Sequence, residues 1–493
     1  MPASLGSGKL GRRGRPRWSW TIAASTLALI AGALVTVGAT GTAQAAPGSP
    51  QTPGAPTALY TEDFENGMGT TPVLLNAYTG ATGMTYTADP AWLTGCNGDI
   101  LSHDTPGPGN CTSGGDFSRL QDLAQELGAY AGAADPDSNH VVAAYTENDP
   151  GADAVEFQTT TPISLPTATG RFLTFSVDAD ATNCRVSGPQ YQFSLTDGGA
   201  STPVGGLINP CTSGGGAAGT YSSNGSVLFT GASLGITMTN HNGSGIGNDA
   251  AFDNIRLLDA TPQLDKSFSP ASIPQNGVST LTITVTNTSE LAHKHGWAFT
   301  DALPTGVTVA GTGAATNTCA GTLTATAGSG SVELTDGDLA AGAAYCEVTV
   351  PVTSSTVGNY TNGAANMTLT GLDAPADSTL AVTPPAPWSC DPYGYLFQSP
   401  SATVHDVSRV NLATGEATPF GDTADNVNAV GYDIQDDLFY GWDLSVNQLV
   451  SIDSGLKLSY LGDLGLPGGY IIGDVDDAGH FWLSGGGAWG EID

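Results

Sequence analysis

Apolar and polar residues alternate with a period of two through most of the chain. In "RFLTFSV" Leu173, Phe175 and Val177 fall on one face. In "YQFSL" Tyr191, Phe193 and Leu195 do so, and in "SLGITMT" Leu234, Ile236 and Met238. Farther on, Leu281, Ile283 and Val285 alternate with threonine. Cys346, Val348, Val350 and Val352 share one parity, which turns the cysteine inward with the valines. Successive side chains of a strand point to opposite sides, so each run predicts a strand that hides one face. The runs are short and are cut by Gly, Asn, Asp and Pro, which predicts an all-β chain. Helical periodicity is confined to "DFSRLQDLAQELG" (116–128), where Phe117, Leu120, Leu123 and Leu127 share a face, Asp116 is placed to cap the start and Gly128 to stop it.

The leading residues carry a different signal. Lys9, Arg12, Arg13, Arg15 and Arg17 precede an uncharged run from Trp18 to about Gly41, and Ala43-Gln44-Ala45 supplies small residues before a cleavage point at Ala46. This predicts a secretory signal peptide over 1–45, and so an extracellular or cell-surface protein with no membrane span in the mature chain. A Pro/Gly-rich leader occupies 46–57. Loss of the signal removes five basic residues and no acidic one, leaving 8 Lys+Arg against 46 Asp+Glu, a net charge near −38. Such a surface offers no basic patch to a phosphate backbone, which excludes nucleic acid as a partner. Cations, calcium among them, are its natural counter-ions.

Seven cysteines follow the signal. Their order suggests three local pairs, Cys96–Cys111, Cys184–Cys211 and Cys319–Cys346, with Cys390 left unpaired. The spacings fit no zinc pattern, and disulfides suit an oxidising compartment.

Three segments follow. Residues 58–260 open on "YTEDFENG" and close on "AAFDNIRLLDA". On those motifs the segment resembles jelly-roll modules of secreted bacterial proteins, carbohydrate-binding ones included. The resemblance implies a sandwich whose first and last strands pair, which would make the two acidic clusters neighbours. Residues 261–385 contain "TLTITVTN", "FTDALPTGV" and "YTNGA". They resemble the conserved-repeat modules of bacterial surface proteins, Ig-like stalk or spacer units of about seven strands. Residues 386–493 carry a repeat in which "GYLFQSP" (394–400), "DLFYGWD" (437–443) and "GHFWLSG" (479–485) recur every 42–43 residues. That period is a propeller blade's. The segment resembles the propeller-like domains that follow conserved-repeat modules in surface proteins of filamentous actinobacteria. Only about two and a half blades are present, and closure needs at least ~4. A truncated chain is the expectation, and unpaired Cys390 agrees with it. The fold class expected is therefore all-β: a jelly-roll-like sandwich, an Ig-like sandwich and a partial propeller-like array.

Candidate chemistry is sparse. Glu62, Asp63, Glu65 and Asp253 are the candidate calcium ligands, a brace for the fold rather than a reaction centre; the competing reading is strand-end acids facing solvent. "DVDDAGH" (474–480) has Gly485 where an EF-hand needs glutamate, so a tight acidic turn is expected. His293 and His295 in "HKH" would point one way on a strand, but no third ligand adjoins them, and an exposed loop is expected. Trp92, Tyr145, Tyr221 and Phe229 form no recognisable sugar-stacking strip. There is no nucleophile motif, and the glycine-rich "SGGGAAG" and "SGGGAWG" lack the lysine of a phosphate cradle. The expectation is a non-enzymatic, adhesin-like surface protein whose partner is an extracellular glycan or protein. The alternative is a carbohydrate-binding protein with a calcium-braced jelly roll.

Overall fold

A computed structural model describes residues 50–492 apart from 110, 112–113, 147–148, 166–169, 185–187, 213–214, 390, 402–403, 463 and 486–487. The segment 1–45, expected to be a signal peptide, and Cys390 lie outside the described residues. The described residues are all-β, built of sheets that are antiparallel but for the parallel pairing of Ser272–Pro274 with Ser378–Thr383, and among them there is one long helix and no closed barrel. Among the described residues no helix is long and apolar enough to cross a membrane.

The first sandwich faces an eight-stranded sheet against a six-stranded one. The last strand, Asp249–Asp259, runs through the larger sheet. One edge pairs with Arg171–Thr182; the other pairs first with Val141–Ala144 and then with Thr57–Glu62. Leu173, Phe175, Val177, Tyr191, Phe193, Leu195, Leu234, Ile236 and Met238 all enter the core between the sheets. The expectation that these strands hide only one face is corrected for the larger sheet. Its outer face is covered by the helix Gly114–Ala131, which packs Leu120, Leu123 and Leu127 on Val141, Ala143 and Ala251. This helix begins before Asp116, which sits in its first turn, and it runs past Gly128. A Cβ at Gly128 would meet the Pro136 carbonyl oxygen at 2.7 Å, so this glycine lets the following turn pack close. Chain reversal falls to Gly132, at φ +74°.

The second sandwich sets Gln263–Ser269, Val278–Thr286 and Tyr345–Ser354 against Ser331–Leu339, Lys294–Ala302 and Met367–Thr370. A small third sheet joins Ser272–Pro274 and Gly358–Asn362 through Ser378–Thr383. The expected seven or so strands are divided into twelve. The inward parity of Cys346 with Val348, Val350 and Val352 is present, all four lying in one core.

The rest forms three consecutive meanders: Tyr393–Ser401 to Ala417–Asp422, Val427–Asp433 to Leu458–Tyr460, and Ile472–Val475 to Ala488–Ile492. The repeated "DLFYGWD" and "GHFWLSG" occupy the second strands of the latter two sheets, whereas "GYLFQSP" lies in the first strand of its sheet. Among the described residues the leading meander thus has no strand before its repeat; it has three strands, as the last has, against four in the middle one. Val427–Asp433 and Ile472–Val475 approach backbone to backbone: a Cβ at Gly431 would meet Asp474 at 2.7 Å, and one at Gly473 would meet the Ala429 oxygen at 2.1 Å.

Candidate functional site

Thr57–Glu62 and Asp249–Asp259 run side by side, with Glu62 opposite Ile255, so the two acidic stretches are neighbours. The turn after Glu62 is made by Phe64 at φ +54°, a region non-glycine residues seldom occupy. Its ring is fully buried among Tyr78, Tyr86, Phe157 and Phe252, at centroid separations of 5.9–6.3 Å. Driving Phe64 inward sends the flanking acids in different directions.

Glu62 turns in. Its Oε1 accepts from the Phe64 amide at 2.9 Å and the Tyr78 hydroxyl at 3.1 Å, its Oε2 accepts from Tyr86, and the Tyr60 and Tyr86 hydroxyls meet at 2.6 Å. Burial raises the pKa of all three tyrosines, and the Glu62 charge adds to the rise. Asp63 stays outside, accepting from the Glu65 amide at 3.3 Å. Glu65 clamps His140, accepting from its amide at 2.6 Å and from Nδ1 at 2.7 Å, while Nε2 donates to the Gly69 carbonyl at 3.1 Å. Burial alone would lower the His140 pKa, but these hydrogen bonds and the Glu65 charge outweigh it and the net shift is upward. With an acceptor on each ring nitrogen, the imidazolium is the form that fits.

Asp253 is buried, accepts from the Asn254 amide at 2.6 Å and Asn139 Nδ2 at 3.1 Å, and is pushed well above the usual carboxylate range by burial, with the charges of Glu65 and Asp178 adding. These four acids do not fit a calcium ion, which wants 6–8 oxygens converging on one point. Each inward carboxylate already serves protein donors. Among the described residues, groups of three or more His, Cys, Asp or Glu with ligand atoms within 4.8 Å of one another are His293–His295–Asp338 and His103–Asp104–Asp137, neither of which includes them.

The first of those groups corrects the reading of "HKH". The third partner is far off in sequence but opposite in register, since His295 pairs with Asp338 across two strands. Asp338 takes His293 Nε2 at 2.9 Å and His295 Nδ1 at 3.3 Å, and Lys294 between them turns inward to Glu290. The expected acidic turn is present at 474–480, where Asp476 accepts from the Ala478 and His480 amides and from Trp482 Nε1. These bonds, Trp482 first, hold its pKa down at about 2. Trp92 is wholly buried; Tyr145, Tyr221 and Phe229 pack partly buried against the cores.

Three disulfides join Cys96–Cys111, Cys184–Cys211 and Cys319–Cys346. More telling is the seam between the two sandwiches. Arg171, on the first, reaches Asp259 at 3.2 Å and also binds Asp373 of the second, and all three side chains are largely buried. Next to it Phe172 leaves its own sheet's core and sits in that of the second sandwich; Leu228 packs there too. The leader adds to the seam: Gln51 donates from its amide to Thr286 Oγ1 at 2.9 Å and from Nε2 to Glu347 at 2.9 Å, and the Gly54 carbonyl accepts from Ser289 at 2.7 Å. No short motif could announce the polar contacts of Arg171 with Asp373 and of Gln51 with Thr286 and Glu347, because their partners are more than 200 residues apart.

A cleft of about 620 Å³ lies between the second sandwich, at Ile273, Pro274 and Val278, and the meanders, at Asp422, Asp425, Lys457 and Tyr460. Its polar wall is internally satisfied in part, since the Tyr460 hydroxyl lies 2.7 Å from Asp425 and 3.1 Å from Asp443, and burial raises its pKa.

Residues 262–382 match a family described as "Domain of unknown function (DUF7933)". No curated protein matches the chain. Among solved structures, the N-terminal domain of the Streptococcus gordonii adhesin Sgo0707 aligns at 11% identity over 67% of this chain and 88% of its own, with a TM-score of 0.25, too low to bear on fold or function.

Proposed function

We propose that the chain is an exported structural protein of the cell surface, adhesin-like in role and without enzymatic turnover, whose modules stand in series and present binding loops to an extracellular glycan or protein. The observation that carries this reading is the seam. A buried Arg171 shared between Asp259 and Asp373, with Phe172 inserted across it, joins two sandwiches stiffly, as a spacer requires. Three disulfides within exported-type β modules support the oxidising location. The test is surface proteolysis of intact cells followed by fractionation. Peptides from both sandwiches should be released from the cell exterior, and the mature protein should begin near Ala46. Recovery from the cytosol alone would refute the reading. Retention of the secreted chain on immobilised polysaccharides or matrix proteins would then identify the partner.

A further inference from the structure

The core of the second sandwich contains three polar side chains where alternation calls for apolar ones. Lys266 shares a face with Leu264 and Phe268 on the strand Gln263–Ser269. Asp301 follows Trp297 and Phe299 on the inward face of Lys294–Ala302, and Asn362 ends the strand Gly358–Asn362. Each strand belongs to a different sheet, and the three side chains meet in the middle. The Lys266, Asp301 and Asn362 side chains are all 0% exposed.

The geometry is close and mutual. Lys266 Nζ lies 2.8 Å from Asp301 Oδ2 and 2.7 Å from Asn362 Oδ1, and Asn362 Nδ2 donates to the same Asp301 Oδ2 at 3.0 Å. Asp301 Oδ1 is buried without a hydrogen-bond partner. A buried ion pair gains little stability over an apolar trio of the same volume, because desolvation cancels most of the attraction. The arrangement instead sets an amine against an amide carbonyl, with a carboxyl touching both and water excluded. Burial lowers the Lys266 pKa against the pull of Asp301, which favours the free amine.

We propose that Lys266 and Asn362 form an intramolecular isopeptide bond, made once after folding, with Asp301 as the catalytic residue. Lys266 passes a proton to Asp301, and its lone pair attacks Asn362 Cγ. Asp301 returns that proton to Nδ2 and takes another from Nζ. The Nζ–Cγ bond forms, the Cγ–Nδ2 bond breaks, and Nδ2 leaves as ammonia. Lysine ammonium, aspartate and asparagine amide become a secondary amide, a protonated Asp301 and ammonia, so atoms and charge balance without any outside reagent. The bond ties the first strand of this sandwich to a strand 96 residues later. It makes the reaction a single self-modification, compatible with a protein that turns nothing over, and it does not depend on which partner the chain binds.

The test is mass spectrometry of the secreted chain, folded, then reduced and digested. One species should contain the peptides around Lys266 and Asn362 joined, with the intact mass lower by one ammonia. The linkage is essential to the readout, because Asn362 precedes Gly363 and a succinimide there would lose the same ammonia without joining the peptides. Asp301→Asn and Asn362→Ala should each restore two separate peptides and the full mass. Separate, unmodified peptides from the folded wild-type chain would overturn the proposal, as would a succinimide alone. Wild-type mapping decides the matter even where a variant fails to fold.

Discussion

Replacing Arg171 with methionine tests the seam directly. Methionine keeps most of the stem's packing and removes the charge. Two carboxylates, Asp259 and Asp373, with side chains 10% and 17% exposed, then face each other without a cation. Stranding buried charge in this way costs about 3–5 kcal/mol. The loss has a ceiling, because the folded variant can protonate one carboxyl. Doing so at pH 7 from an ordinary value near 3.9 costs about 4 kcal/mol at 1.36 kcal/mol per pH unit. The Asp373 pKa is already raised by burial, lowered by Arg171 and raised again by Asp259, so without the arginine it must climb. A carboxyl whose folded pKa exceeds its unfolded one destabilises above the unfolded value and not below it. The deficit should therefore be about 3–4 kcal/mol at pH 7 and shrink to less than about 1 kcal/mol near pH 4. The assay is denaturant unfolding of the purified, disulfide-bonded chain, wild type against variant, at both pH values. Adding Asp259→Asn and Asp373→Asn to the methionine variant should recover most of the loss at pH 7. An equal deficit at both pH values, or none at pH 7, would show that the seam does not rest on this charge arrangement.

Other outcomes follow from buried groups. Burial raises the Glu156 carboxyl to about 8 despite its hydrogen bond from Asn240, so the unfolded chain ionises it at pH 7 while the folded chain does not. Its destabilising contribution grows as pH rises from about 4.5 to 8, and Glu156→Gln should add on the order of 3 kcal/mol at pH 7 and flatten that part of the stability profile in denaturant titrations. The raised His140 pKa contributes stability that is complete below its ordinary value near 6.5 and is lost as pH rises through the folded one. Glu65→Gln should lower the His140 pKa in an NMR titration and remove that loss. Cys319→Ala with Cys346→Ala opens a 27-residue link and should cost roughly 3–4 kcal/mol by thermal unfolding under non-reducing conditions.

Period-two runs such as Leu281–Ile283–Val285 made the strands and inward faces legible, because each strand's burial is written locally. That Glu62 and Asp253 are neighbours was accessible only through the jelly-roll resemblance, which implies that first and last strands pair. The direction of each carboxylate was not. Whether Glu62 meets a cation or three tyrosines depends on Phe64 turning inward, a single backbone inversion that composition does not signal. Asp338 was hidden from the histidines for a related reason, since register brings it to them across 45 residues. Lys266, Asp301 and Asn362 did leave a trace: "LDKSFSP", "FTDALP" and "YTNGA" each place a polar residue beside core-facing ones. A break in an otherwise consistent pattern is where function is expected.

Phe172 and Leu228 of one sandwich complete the interior of the next. Evolution therefore cannot shuffle the second module into a new host as a bare cassette, because it would arrive with a hole in its middle. Nor can the first be transplanted alone without exposing a phenylalanine to water. The two halves should travel, mutate and melt together as one heritable piece.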